Sequence, residues 1–175
     1  MRSRRAALRY LLCCVAGTLC AFVAGDALGE HYAAGTGAIP QSGWRAIVSR
    51  GSVAASFPTP NGKIPLWTTE GPQQAGDWFA VDLGMCQKIN HIVLDTADSS
   101  GQYPGKYMLL VSTDGWNWGN SVASGVGSPA TTIRFERTPV RYFKVILLGN
   151  GSRPWSIAHI RVYNDPQWLK IVGCA

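Results

Sequence analysis

The chain has 175 residues, 46% hydrophobic and 15% charged, with 16 Lys and Arg against 10 Asp and Glu and a net charge of +6. That length holds one domain with a short extra segment, and the hydrophobic share excludes a disordered chain, which needs few apolar residues and surplus charge. The 20 Gly follow no three-residue period, so a collagen-like repeat is excluded, and with 10 Pro and 7 Trp they point to a turn-rich β protein.

Residues 1–27 read as a targeting segment. Arg2, Arg4, Arg5 and Arg9 form a basic start without an acid, residues 10–24 are almost wholly apolar or small, and Val23-Ala24-Gly25 or Gly25-Asp26-Ala27 offers a small-residue cleavage site. This is the pattern of a secretory signal peptide. As a retained anchor it falls short of the roughly 20 apolar residues that span a bilayer. The expected location is secreted, periplasmic or at the cell surface. Removing the segment leaves 12 basic and 9 acidic residues, a net of +3, and the remaining cations are scattered. Nucleic acid selects a basic stripe or patch, so no nucleic-acid partner is expected. Cys13, Cys14 and Cys20 lie in the apolar run, leaving Cys86 and Cys174 for one possible disulfide. Whether their Cα atoms come close enough is not written in the sequence. Two Cys and 3 dispersed His give no zinc spacing.

Residues 28–43 are small and polar and read as a lead-in to a domain over 44–164, with a tail over 165–175. Within the domain the candidate strands are 45–49, 78–83, 88–95, 106–112, 131–136, 141–148 and 156–163, separated by clusters rich in Gly, Pro, Ser or Asn. Phe79, Val81 and Leu83 share one strand face; so do Ile133 and Phe135, then Phe143, Val145 and Leu147, then Ala158, Ile160 and Val162. Period-two alternation means that each strand buries one face against a second sheet. The expected fold is all-β, an antiparallel jelly-roll β-sandwich.

The order of landmarks is Gly43-Trp44, Leu66-Trp67-Thr68-Thr69, Gly76-Asp77-Trp78-Phe79-Ala80-Val81-Asp82-Leu83-Gly84, Ile92-Val93-Leu94-Asp95, Tyr103-Pro104, Val111-Ser112-Thr113-Asp114-Gly115, Asn117-Trp118, Arg141-Tyr142-Phe143-Lys144 and Trp155-Ser156-Ile157. Over residues 43–164 this series resembles the coagulation factor 5/8 type C (discoidin) domains of the galactose-binding-like fold. It is most similar to the bacterial carbohydrate-binding modules of secreted glucanases and other polysaccharide-active enzymes. The resemblance implies a non-catalytic, eight-stranded sandwich that binds ligands through loops at one end, here a polysaccharide or glycoprotein glycan for adhesion or surface retention. A protein–protein or membrane-surface module on the same fold is the alternative, with a separate protein partner; a membrane binder presents large apolar loop tips, whereas these loops are polar.

The residues agree with the absence of catalysis: no G-x-S-x-G elbow, H-E-x-x-H or phosphate-cradling Gly loop occurs. Asp82 and Asp114 sit in turns, where a carboxylate bonds nearby backbone N–H groups. Nothing in the sequence pairs Glu70 with Asp98, as the two carboxylates of a glycosidase must be. Many discoidin domains carry structural calcium, but the corresponding stretch here has Pro60, Asn61, Lys63 and Pro65, and His159 stands where the last-strand Glu is found. Hard cations want oxygen ligands, so neither metal nor other cofactor is expected. The resemblance places the sugar site on loops 68–75, 96–103 and 149–155, with Glu70, Gln73, Asp98, Gln102, Tyr103, Asn150, Arg153 and Trp155 as candidate ligand-binding residues. Trp44, Trp67, Trp78, Trp118 and Trp155 coincide with landmarks that pack in or beside the core. Trp116 is additional to the family pattern, and Trp168 falls in the tail. His91 and His159 read as structural.

Overall fold

The computed structural model describes residues 37–53, 66–97 and 101–165. The targeting segment, most of the lead-in, residues 60–65 of the expected calcium stretch, Asp98, Trp168 and Cys174 lie outside the described residues. The alternating runs form strands, here β1 (Arg45–Val48), β2 (Ser52–Val53), β3 (Trp67–Thr68), β4 (Trp78–Asp95), β5 (Lys106–Ser112), β6 (Ala123–Val126), β7 (Ala130–Leu147), β8 (Ser156–Ile157) and β9 (His159–Tyr163). They make a six-stranded sheet in the order β1-β4-β7-β5-β6, with β9 also paired to β4, and a three-stranded sheet β2-β3-β8. Every described strand pairing is antiparallel. The architecture is an antiparallel jelly-roll β-sandwich of the galactose-binding-like kind.

Where two strands were expected at 78–83 and 88–95, the chain forms one 18-residue strand, and 131–136 with 141–148 merge in the same way into β7. The ladder between them slips at Asp82/Gln87 and again at Ile89/His91. On β4 the second of these changes which parity of residue faces inward: Phe79, Val81, Leu83 and Ile89 are buried before it, and Ile92 and Leu94 after it. Asn90 occupies the second slip. Its Nδ2 donates to the Asp165 carbonyl and its Oδ1 accepts from the Asp165 N–H, both at 2.8 Å. A side-chain amide thus stands in for a strand partner and leaves no buried polar group unmet.

Sequence reading missed β2, β3 and β6. Residues 124–129 carry turn chemistry, yet Ala123–Val126 pairs with β5 from Lys106 to Leu109. Gly125 is there for space, because a Cβ would sit 2.8 Å from the Tyr107 hydroxyl oxygen. The glycine marks a close approach of a ring to the strand.

The core sits between the sheets and centres on Trp67, Phe79 and Trp155, none of which is measurably exposed. Trp67 of the small sheet lies 5.2 Å from Phe79 of the large one and 4.8 Å, edge to face, from Trp155. Its indole N–H donates to the Arg50 carbonyl at 2.8 Å, so the polar end is met while the ring fills the core. Trp44 is also buried, whereas Trp78 and Trp118 are half-buried and Trp116 is 88% exposed.

Candidate functional site

One end of the sandwich gathers the start of β4, the start of β5, the end of β7 and β8, as the pairs Trp78–Ile146, Tyr107–Leu147 and Thr68–Ser156 require. Three segments meet there: residues 69–77, 101–105 and 148–155. Short polar loops of this kind need internal bonds to hold one shape, and the sequence supplies them. Asp77 is buried and takes Nε and Nη2 of Arg50 at 2.8 and 2.7 Å, plus the Gln74 N–H at 2.7 Å. Burial alone pushes the Asp77 carboxyl up, but the Arg50 and Gln74 hydrogen bonds outweigh it and hold the group below its usual 3.8.

Gln73 ties the three segments together. Its Nε2 donates to the Tyr103 carbonyl at 2.9 Å and to that of Pro154 at 3.5 Å, and its Oε1 accepts from the Gly105 N–H at 3.0 Å. Its backbone N–H donates to the Arg153 carbonyl and its carbonyl accepts from Gly151, both at 3.0 Å. Asn150 Oδ1 accepts from the Ala75 N–H at 2.8 Å. Thr69 and Trp155 are joined by their backbones and through the Thr69 hydroxyl, each at 3.0 Å.

Between these segments opens a cavity of about 470 Å³ lined by Gln73, Gly101, Tyr103, Gly105, Gly151, Ser152 and Arg153. It falls in the range of roughly 300–1,000 Å³ usual for small-molecule sites. An exposed guanidinium, a hydroxyl and a tyrosine ring are presented together, a set suited to a polyhydroxylated ligand with one C–H-rich face. Gly101, at φ 73°, lets Arg153 lie against the backbone, since a Cβ there would fall 2.8 Å from Nη1. No two carboxylates line the cavity.

Of the candidates read from sequence, Gln73, Tyr103 and Arg153 line this cavity. Gln73 does so as its buried floor, with its amide already bonded. As a ligand-binding candidate Trp155 is a correction: it is wholly buried and meets Trp67 edge to face, so it offers no face to a ligand. Glu70 is exposed at φ 57° and Asn150 is exposed and bonded to Ala75; neither lines the cavity. Gln102 contributes its carbonyl to the Ser156 N–H at 2.8 Å and also lies off the lining. Asp98 lies outside the described residues. Sequence reading missed Ser152 and the wall formed by Gly101, Gly105 and Gly151, whose only signal was glycine recurring in the implicated loops. Cys86 is exposed on β4, with Cys174 outside the described residues. Asp114 keeps its expected turn role, accepting from the Trp116 and Asn117 N–H groups at 2.8 Å; Asp82 lies within β4 at the first slip, not in a turn, and accepts from the Gly84 N–H at 2.8 Å.

A jelly-roll sandwich with a polar cavity among the loops at one end defines a class of ligand-binding module. The F5/8 type C domain pattern matches residues 49–160, and the chain belongs to that family. A galactose oxidase of Gibberella zeae is 32% identical over 112 positions, covering 58% of this chain and 16% of that protein. The likeness thus spans a small part of the oxidase's length. Among solved structures, a family 32 carbohydrate-binding module from a Clostridium perfringens family 89 glycoside hydrolase, in complex with GalNAc-β-1,3-galactose, superposes at a TM-score of 0.61. It is 21% identical, with 72% of this chain and 99% of that one covered. The family 32 module of the C. perfringens protein NanJ, in complex with galactose, gives 0.57 at 23% identity, with 73% and 98% covered. At these identities the likeness is one of fold.

Proposed function

We propose that this chain is an exported, non-catalytic module that binds a glycan in the cavity between the three loops and so holds its bearer at a polysaccharide or glycoprotein surface. The observation that carries the reading is the cavity itself, in which Tyr103, Ser152 and Arg153 converge over a floor held rigid by Gln73. Preorganised loops lose little entropy on binding, which suits a site with few contacts. Galactosides are the first ligands to try, because both structural neighbours were solved with galactose-containing sugars. Export rests on the basic and apolar pattern of residues 1–27.

Calcium is not part of the proposal. The His159 imidazole stands at the start of β9 opposite Asp95, a poor donor for a hard cation. The test is titration of the full chain with galactose and GalNAc-β-1,3-galactose by calorimetry, with and without a chelator. Binding that falls about tenfold on Arg153→Ala, roughly 1.4 kcal/mol, and survives chelation is the expected result. Binding lost to the chelator overturns the calcium argument. No binding to either sugar, or binding unchanged by Arg153→Ala, overturns the site.

A further inference from the structure

The outer face of the large sheet, away from the core, carries aromatic residues that packing does not explain. Ile47, Ala80 and Lys144 stand side by side across β1, β4 and β7, as their register shows, with Trp78 two residues before Ala80. The turn after β5 lays Trp116 and Trp118 over this row. Together with Tyr142 they enclose a groove of about 310 Å³ that shares no residue with the loop cavity.

Three features give the groove a chemical preference. Trp116 is 88% exposed, yet its turn is firmly held. Asp114 accepts from the Ser112 hydroxyl at 2.9 Å, the Trp116 and Asn117 N–H groups at 2.8 Å and Asn117 Nδ2 at 2.7 Å. A large indole is therefore presented to solvent on a rigid support, where its burial contributes almost nothing to folding. Lys144 Nζ lies 3.9 Å from the Trp118 ring centre and 4.9 Å from that of Trp78. Among the described residues its ammonium has no carboxylate within 4.0 Å; the ion pairs join Arg50 to Asp77, Arg134 to Asp165, Arg141 to Asp82 and Arg161 to Asp95. Asp114, the acid that lines the groove, is committed to its own turn. A half-buried cation held by aromatic rings alone has room for an anion, and burial already pulls its pKa below the usual 10.5.

We infer that this groove is a second saccharide site, selective for a carboxylate-bearing pyranose: the sugar's C–H face lies on Trp116 and its carboxylate meets Lys144. The choice of a sugar rests on the function proposed above; the charge selectivity rests on Lys144 alone. An exposed aromatic face and one fixed cation are the minimum that a uronic acid requires, since its ring is apolar on one side and its charge sits at one carbon.

The experiment is calorimetric titration of the full chain with trimers of galacturonic, mannuronic and glucuronic acid and with their methyl esters. At least one acid is expected to bind tenfold or more tightly than its ester. Trp116→Ala should weaken that binding at least tenfold, and Lys144→Met should bring acid and ester level, both with an unchanged melting temperature. Arg153→Ala should weaken galactoside binding about tenfold and leave uronate binding in place, so that failure of the loop site and failure of this one are separable. The inference is overturned if no acid is preferred, if the preference survives Lys144→Met, or if uronate binding follows Arg153 instead of Trp116. Dimerisation that Trp116→Ala abolishes, without uronate binding, would make the groove a contact between copies of this chain and also overturn it.

Discussion

Gln73 shows how much one side chain decides at the loop end. Its amide bonds to segments from two other loops, and its removal leaves the Gly105 N–H without a partner. Losing a buried partner of this kind costs about 1–3 kcal/mol. Gln73→Ala should therefore lower stability in urea by about 2 kcal/mol. Gln73→Glu should cost at least as much, because a carboxylate would face the carbonyls of Tyr103 and Pro154 in place of a donor. Equal stability of Gln73→Glu and the parent would refute this account. The sequence marked Gln73 only as a polar residue on a loop that the resemblance implicates; that it is buried follows from three distant segments closing over it. Trp155 was named both as a core landmark and as a ligand-binding candidate, and its complete burial agrees with the first. Nothing local separates a tryptophan on a loop tip from one beneath the loop.

At the scale of elements, strands with strict alternation were readable, and β5 was placed with its observed ends. Elements that depend on partners were not. β2 and β3 are two residues each and exist only through pairing with each other and with β8, so they carry no periodic signal. β6 was hidden because Gly125, placed to admit Tyr107, mimics turn chemistry. β4 and β7 were each divided near register irregularities that shift the pairing without ending the strand, as bulges do. The loop before β5 yields a prediction of its own. Gly101→Ala adds a Cβ 2.8 Å from Arg153 Nη1 at a φ of 73°, and left-handed backbone costs a residue with a side chain about 1–2 kcal/mol. Because the arginine tip can move aside, the larger effect should fall on ligand binding. Galactoside affinity is expected to drop several-fold while the melting temperature shifts modestly; unchanged affinity would show that the guanidinium's position is unimportant.

For the molecule as a whole, His91 sets the response to moderate acid. It lies on β4, stacks on Tyr163 of β9 at 4.7 Å, and its Nε2 is buried without a partner. Burial first, and the charges of Arg134 and Arg161 against the opposing Asp165, lower its pKa from 6.5 to about 4. The folded state thus resists a proton that the unfolded chain accepts, so stability is full above pH 6.5 and falls as pH drops through 6.5 toward 4. Asp77 and Asp82 are shifted below 3.8, and their contribution is lost in a lower window. Urea unfolding at pH 7 and pH 4.5 should show a clear loss for the parent and a smaller one for His91→Phe, which keeps the stack on Tyr163. Equal losses would assign the acid sensitivity elsewhere.

The sequence by itself determined the fold class, because alternation and turn residues are local and survive being read one segment at a time; the ordered landmarks carried the family, and the resemblance pointed to the loops among which the cavity opens. It also singled out Trp116 as an addition to the family pattern. Only the tertiary structure decided which loop residues line the cavity, that Trp155 lies under it, and that Trp78, Trp118 and Lys144 meet on the outer face. Those outcomes depend on which segments lie across from one another, and burial is a property of the neighbours a residue acquires, not of the residue.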